Sequence, residues 1–575
     1  MAGRRGRARR LAPGRGLRAA PPAGRVLRRA RDRRAGAGRR GAGVVLGAGP
    51  PAPPGQRRPG RERAADRRAD RRRRGRAGRG GAVTHVSPEL TLVIPLVGAV
   101  IIALLGRWPN AREAVTLACA AALLLAVGSL FPAVLEHGAR PAWRGPEVLP
   151  GLGLVLEVEP LGLIYAGVAA LLWLPNSLYS IGYMRGHHET NQTRFFACFA
   201  LSIASAMGIA FSGNLFTLFV FYEALSLATF PLVTHHGTEK AQRAGRLYVG
   251  FLFGTSMVLM LLAIVWTWTL TGTVDFRAGG ILGDVSPGLT AVLFGLFMLG
   301  SGKAAVMPFH FWLPSAMVAP TPVSALLHAV AVVKAGVFVV LKVSVYVFGV
   351  DTVASGVHHE WLLYLAAATI LIASIVAMTK DDLKARLAYS TVGQLSYIVL
   401  GAALGNSLGV AGGGLHIAMH AFGKITLFFC AGAIYVAAHK TKVSELTGLG
   451  RRMPFTMLAF AVGALSIIGL PPLGGAWSKW YLGLATLEAG HAGLLVVLLI
   501  SSLLNVAYLL PIPLKAFFLS PPAGDGAHGG ADEGIHEAPL PCLIALGLTA
   551  LGSVALFFWP DLLLRLVTEV APLGS

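Results

Sequence analysis

Eight ionisable side chains stand in or beside apolar runs long enough to cross a bilayer: Glu223, Lys303, His328, Lys334, His416, His420, Lys424 and Lys479. Glu223 is about ten residues from either end of its run, and Lys303 follows some 17 apolar or small residues. Lys334 is central in PVSALLHAVAVVKAGVFVVLKVSVYVF, six residues after His328. His416, His420 and Lys424 are spaced i, i+4, i+8, a drift of only about 40° per step, so they line one stripe of a helix over roughly 12 Å. A charge at mid-membrane costs about 2.5–3.5 kcal/mol on insertion scales, so each such residue asks for a use. Each also has a plainer reading. A lone membrane histidine bridges helices by a hydrogen bond, Glu223 with Lys303 is a static buried ion pair, and Lys342, nearer a helix end, snorkels to the surface.

Taken as a set, the residues suit proton movement. Desolvation lowers the proton affinity of a lysine toward neutrality, and a nearby glutamate restores it. A lysine–glutamate pair that separates is therefore a switch that releases a proton, and histidines suit the intermediate positions.

Two prolines interrupt one apolar segment, at Pro308 and Pro314, and two more interrupt another, at Pro471 and Pro472. Unwound backbone at membrane depth is tolerated where it lines a cavity. Paired broken helices in two halves of a chain point to an inverted-repeat transporter with its ion path at the breaks. The simpler alternative is a proline that ends a helix in a loop, but apolar sequence resumes on both sides. Lys303 is then the exchangeable site, and Pro308 the discontinuity that hydrates it.

The elements that must hold these groups are membrane helices. The chain of 575 residues is 54% hydrophobic and 14% charged, with a mean hydropathy of +0.62, well beyond a soluble domain. Apolar stretches recur from Pro88 onward and make about fourteen helices. The fold class expected is an all-α polytopic membrane protein with two inverted five-helix repeats and two broken helices. Its divisions are helices one to three in 83–193, a first repeat in 194–347, a second in 360–517, and a final helix with a short tail in 540–575. Connections after odd-numbered helices carry 15 Lys and Arg, those after even-numbered helices only Arg140, Arg144 and Arg277. The positive-inside rule makes the former cytoplasmic and places both ends of the helical body on the outer side.

The net charge of +24 is confined to the start of the chain. Residues 1–82 hold 27 arginines and four acids, a net of +23, which leaves +1 for the rest. This Arg, Gly, Ala and Pro-rich segment is expected to be disordered. It reads as a mis-assigned N-terminal extension, with the working chain starting near Val83. An RNA- or lipid-binding arm is the alternative, and no nucleic-acid partner is expected. The GxGxxG match at Gly36, Gly38 and Gly41 has no strand before it and carries nothing. Cys119, Cys198, Cys430 and Cys542 form no CxxC pair, so neither a metal nor an iron–sulfur centre is expected. No cofactor motif and no catalytic residue is evident, which leaves any enzyme activity to partner subunits.

FYEALSLATFPLV, GKAAVMPFHFWLPSAMVAPTPVSALLHAVAVVKAG, KDDLKARLAYSTVGQLSYI, LHIAMHAFGKITLFF and IIGLPPLGGAWSKWYL resemble the antiporter-like subunits of respiratory complex I and of Mrp-type cation/proton antiporters. The resemblance spans about residues 84–560. It implies that Glu223 is the fifth-helix glutamate, Lys303 the seventh-helix lysine paired with it, and Lys334 the connecting lysine of helix eight. It likewise makes His328 the histidine of the SALLHA segment, His416, His420 and Lys424 the central eleventh-helix group, and Lys479 the terminal lysine of the second half-channel. ATFPLVTHHGTEKAQRAGRLYVG is most similar to the D-type Mrp subunit, whereas Lys479 does not discriminate between the two families. The expectation is a proton-translocating subunit of a multi-subunit antiporter in a bacterial plasma membrane, with other membrane subunits as partners and Na⁺ or K⁺ as candidate counter-ions. A subunit of an NADH:quinone oxidoreductase-type or hydrogenase-linked complex is the alternative, and a scaffold without transport the second.

Overall fold

The computed structural model describes residues 87–149, 151–355, 359–520 and 534–573. The arginine-rich segment 1–82 lies outside them. After α1 (Pro88–Leu104) and α2 (Pro109–Leu135), a two-stranded antiparallel hairpin, β1 (Ala142–Leu149) and β2 (Leu152–Glu157), covers one end of the molecule. Then follow α3 (Pro160–Gly186), α4 (Gln192–Ala210), α5 (Leu215–Val233), α6 (Glu239–Thr271), α7 (Pro287–Gly300) and α8 (Thr321–Phe348). The second half holds α9 (Glu360–Thr379), α10 (Leu383–Ala403), α11 (Ser407–Ala438), α12a (Pro454–Ile468) and α12b (Gly475–Glu488). It ends with α13 (Ala492–Phe518), α14 (Leu540–Phe558) and the short α15 (Asp561–Val570).

Among the described residues ten helices are long and apolar enough to cross a membrane, and α1, α7 and α12a are shorter apolar helices. With α10 these are the fourteen expected. In α4–α8 and again in α9–α13 the fourth member is the broken one.

Connections alternate between two faces. On the hairpin face, the α4–α5 turn, the α6–α7 connection and the end of α8 are tied by backbone bonds: Leu215 N–H donates to the Val274 carbonyl, Phe276 to Gly213 and Ile281 to Val347. On the other face, Leu383 N–H donates to Thr441 and Val443 to Asp381. There the Asp381 carboxylate also accepts from the Ser444 amide at 2.9 Å and its hydroxyl at 2.8 Å.

Burial is graded from the rim inward. Only a third of the most apolar window of α2, α6, α13 and α14 is covered by protein, whereas that of α8 is wholly covered. Glycines bring the inner helices together: Gly409 abuts the Gly401 backbone and Gly412 abuts Leu482. Such close approach by small residues is how membrane helices associate where lipid offers no hydrophobic drive.

Both breaks form, and the first begins earlier than the prolines suggest. Helix α7 stops at Gly300, Gly302–Ala304 make a single tight turn, and Ala305 is left-handed at φ 54°. Lys303 is therefore on unwound chain, not in a helix that Pro308 interrupts. The reason lies in packing: Gly336 of α8 presses on the backbone of Lys303 and Ala304, and Gly302 presses on Thr255. Beyond it, one helical turn, Trp312–Ser315, contains Pro314. In the second break α12a ends at Gly469, φ 89°, and α12b resumes at Gly475 after Pro471 and Pro472. The Met307–Pro308 and Pro471–Pro472 bonds are both cis. A methyl group at Gly336 has no room against that backbone, and overpacking of this kind costs about 1–3 kcal/mol. Gly336→Ala is expected to lower the melting temperature of the purified chain; unchanged melting would show that α8 does not clamp the break.

The short tail after α14 adds a helix: Leu563, Leu566, Val567 and Val570 recur at helical spacing, and α15 buries Leu566 and Val567, with Gly414 of α11 facing Val567. One further sequence expectation, that for Lys342, needs correction. Lys342 does not snorkel. It is buried and paired with Glu159 at 3.0 Å, because α8 is surrounded by protein rather than lipid along its whole length.

Candidate functional site

The charged residues converge on α8 and α11, at the centre of the bundle. In the first half, α5 supplies Glu223 and its neighbour Tyr222, and the unwound end of α7 supplies Lys303. Lys303 is fully buried. Its Nζ donates to the Tyr222 carbonyl at 2.9 Å and lies 3.2 Å from the centre of the Tyr222 ring. Its backbone N–H donates to the Tyr222 hydroxyl at 3.2 Å. Both oxygens of Glu223 are buried without a hydrogen-bond partner. The two residues thus act on each other through space rather than through a contact ion pair, and Tyr222, which sequence reasoning missed, holds the lysine.

The middle of the site rests on an irregular α8. A π-turn at Leu326–Val330 displaces the register just before Lys334, and π-turns concentrate at functional sites. The Tyr165 hydroxyl of α3 donates to the Ala331 carbonyl at 2.9 Å, immediately after the turn. His328 is buried, with both ring nitrogens unpaired, and its ring lies 4.7 Å from that of Phe428 on α11. Lys334 Nζ is 2.7 Å from His420 Nδ1. The His420 and His416 rings are 5.7 Å apart, as the stripe on α11 requires. A serine and a tyrosine continue the chain. His416 Nδ1 is 2.8 Å from the Ser478 hydroxyl, and its ring stacks on Tyr397 at 5.5 Å.

Lys479, at the start of the second turn of α12b, ends this row. Its Nζ donates to the Ile468 carbonyl at 2.9 Å and the Ser502 hydroxyl at 3.0 Å, and lies 5.1 Å from the Tyr397 ring centre. The Ile468 carbonyl is among those that the α12 break leaves without a helical donor, so the lysine satisfies the broken end. Lys424 branches off instead. Its Nζ donates to the Ser390 hydroxyl at 2.6 Å, which in turn accepts from Tyr508 at 2.7 Å. Lys334, His420, His416 and Lys479 are thus joined through direct or one-residue contacts, Glu223 and Lys303 form a separate group, and His328 and Lys424 flank the centre. The pairing of Lys303 with α8 is by backbone, at Gly336.

A cavity of about 230 Å³, the vestibule, opens on the face opposite the hairpin, room for several waters. Its lining includes Tyr183, His187, Glu189, His236, Asp382 and Lys384. Lys384 is at its depth, donating to the Ala319 carbonyl at 2.6 Å at the start of α8. At the rim the Glu189 carboxylate gathers three histidines, at 3.0 Å from His187, 3.7 Å from His235 and 3.6 Å from His236. His235 is in the α5–α6 connection, outside the spanning segments. Burial there pulls its pKa down to about 4, although Glu189 opposes the shift. An unfolded histidine titrates near 6.5, so this group is neutral in both states above about pH 6.5 and costs nothing there. As pH falls from about 6.5 toward about 4 the unfolded state takes the proton more readily, and stability is lost. His235→Phe, which keeps the packing on Phe195, is expected to flatten the fall in melting temperature over that interval. An unaltered fall would assign the acid sensitivity to other groups.

Residues 212–505 match the model of the NADH:quinone oxidoreductase/Mrp antiporter transmembrane family. The chain is 34% identical over 505 residues to NADH-quinone oxidoreductase subunit N of Desulforudis audaxviator, an alignment covering 84% of this chain and 98% of that protein. The chain belongs to this family. A probable K⁺/H⁺ antiporter subunit of Rhizobium meliloti is 31% identical over 422 residues, covering 71% of this chain and 41% of that protein. Among solved structures, a chain of the Mrp complex from Dietzia sp. superposes with a TM-score of 0.74 at 23% identity, covering 85% of this chain and 97% of the other. A chain of an archaeal membrane-bound sulfane sulfur reductase superposes with a TM-score of 0.72 at 24% identity, covering 84% and 96%. The matched segment begins at Ser212 and contains all eight of the ionisable residues singled out from the sequence, whereas Tyr165, which braces α8, lies before it.

Ser390, Ser478, Tyr397 and Tyr508 escaped sequence reasoning, because hydroxyls are common in membrane helices and carry no insertion penalty comparable with a charge. Lys384 was counted as a loop charge, since its neighbours Lys380, Asp381 and Asp382 are polar. Among the described residues, no group of three or more His, Cys, Asp or Glu side chains is arranged to hold a metal ion.

Proposed function

We propose that this chain is a proton-translocating membrane subunit of a multi-subunit monovalent cation/proton antiporter, working in a bacterial plasma membrane with the vestibule face toward the cytoplasm. The observation that carries the reading is the buried row Lys334, His420, His416, Lys479, joined by a 2.7 Å lysine–histidine contact. A structural core has no need of four adjacent groups that compete for protons, and burying charge without a paired opposite charge is costly. Protons enter at the vestibule and reach His328 and Lys334. Lys303 holds its proton when it approaches Glu223 and gives it up when the two separate.

The D-type assignment rests on the α5–α6 sequence ATFPLVTHHGTEKAQRAGRLYVG. A second reading, a proton-pumping subunit of a complex I-like oxidoreductase, is favoured by the relative that is a subunit N and is covered over 98% of its length. Purification of the native assembly separates the two. Small cation-antiporter subunits, with Na⁺- or K⁺-driven proton flux in inverted vesicles, support the first. Iron–sulfur or hydrogenase-like subunits support the second. A chain that assembles but carries no proton flux in either setting is the scaffold.

A further inference from the structure

The row described above runs sideways from Lys334 on α8 to Lys479, but α8 carries another charge. Eight residues beyond Lys334, Lys342 is buried on the hairpin side of the bundle. Its Nζ meets Glu159 Oε1 at 3.0 Å, donates to the Ser212 carbonyl at 2.7 Å and lies 4.7 Å from the Phe276 ring centre. Glu159 is the last residue before α3 and is buried as well. Tyr346, one turn further along α8, faces the same carboxylate, and the π-turn at Ser344–Phe348 falls at this level.

Two features set this pair apart from a static lock between α3 and α8. Beyond the Lys342 ammonium at 3.0 Å, neither Glu159 oxygen has a well-aligned hydrogen-bond donor, although a buried carboxylate that only braces a fold is normally saturated. The pair also borders a cavity of about 20 Å³ lined by Arg140, Glu157, Glu159, Ser212, Lys342 and Tyr346, enough for one water. Between Lys334 and Lys342, one turn from each, Phe338 packs on Tyr165 with ring centres 5.0 Å apart. An aromatic plug thus separates the central row from this outer pair.

We propose that Glu159 and Lys342, with Tyr346, form the proton-release site on the hairpin face, filled from Lys334 past Phe338. The proposal rests on the proton-translocating reading above. A proton passing Phe338 neutralises the Glu159 carboxylate and frees it from Lys342. The carboxylic acid then gives the proton to the cavity water as hydronium, and the carboxylate–ammonium pair re-forms. Arg140 and Glu157, the other charged groups on this cavity, set the potential into which the hydronium leaves.

Proton flux through the intact assembly in membrane vesicles tests this, with Lys303→Ala as the reference. Glu159→Gln and Lys342→Met are expected to slow flux at least about ten-fold. Tyr346→Phe, which deletes one hydroxyl and leaves the helix packing intact, is expected to slow it several-fold without lowering the melting temperature. A pure lock has no use for that hydroxyl. Glu159→Asp, which retains a titratable group, should recover part of the flux lost in Glu159→Gln. If Lys303→Ala stops flux while assembled Glu159→Gln or Tyr346→Phe transports at the wild-type rate, the release site is wrong and the central relay stands. If Lys303→Ala leaves flux intact, the proton-translocating reading falls with it.

Discussion

Lys303→Ala and Glu223→Gln are each expected to reduce proton-coupled flux in vesicles to the leak of vesicles without protein, while the assembly still forms. The separation of function from folding follows from where the two groups sit. Lys303 occupies a short turn whose backbone N–H is held by the Tyr222 hydroxyl and whose conformation is set by Gly302 and Gly336, none of which depends on the lysine side chain. Alanine there loses one hydrogen bond, to the Tyr222 carbonyl, worth about 1 kcal/mol, and removes the proton carrier altogether. Glutamine in place of Glu223 keeps the shape of the side chain and discards its charge, so Lys303 no longer has a carboxylate to draw its proton. Normal flux in either variant would leave the buried charges without a role in transport.

Lys334→Met and His420→Ala should have effects as large, for a different reason. Their 2.7 Å contact is the joint between α8 and α11, and no other described hydrogen bond links the titratable groups of those two helices. Methionine fills the volume of lysine and satisfies a wholly buried helix, so the variant should fold at least as well as the native chain and carry no current. Ser478→Ala is the contrasting case. It removes the partner of His416 Nδ1, a loss of about 1 kcal/mol that slows a step roughly five-fold without breaking the row. Equal losses in Lys334→Met and Ser478→Ala would mean that the contact is not the route.

The helices and both breaks were legible because lipid imposes a coarse code. A run of apolar residues must span, and a proline or charge inside it is costly enough to stand out. That code located Glu223, Lys303, Lys334 and the α11 stripe. It could not show that Lys303 leaves the helix at Ser301, since Gly300, Ser301 and Gly302 look like small packing residues, and only the backbone of α8 at Gly336 reveals why the chain unwinds. The same limit explains Lys342. Nearness to a helix end suggests an interface, but α8 is enclosed by other helices and β2 leads directly into Glu159, a pairing that joins residues 183 positions apart. The hairpin was missed because its strands, Ala142–Leu149 and Leu152–Glu157, carry proline and glycine. Tyr222, Ser478 and Ser390 were missed because a hydroxyl in a membrane helix leaves no signature of expense.

Infrared difference spectroscopy of the working assembly can watch Glu223 itself. In this relay the buried Glu223 carboxylate stays charged while Lys303 is near it and takes up a proton when the lysine withdraws. A carboxylic-acid band should therefore appear and vanish during turnover, and be absent from Glu223→Gln. If flux proceeds while no such band distinguishes the native protein from Glu223→Gln, protons do not pass by this glutamate, and the buried row serves another purpose.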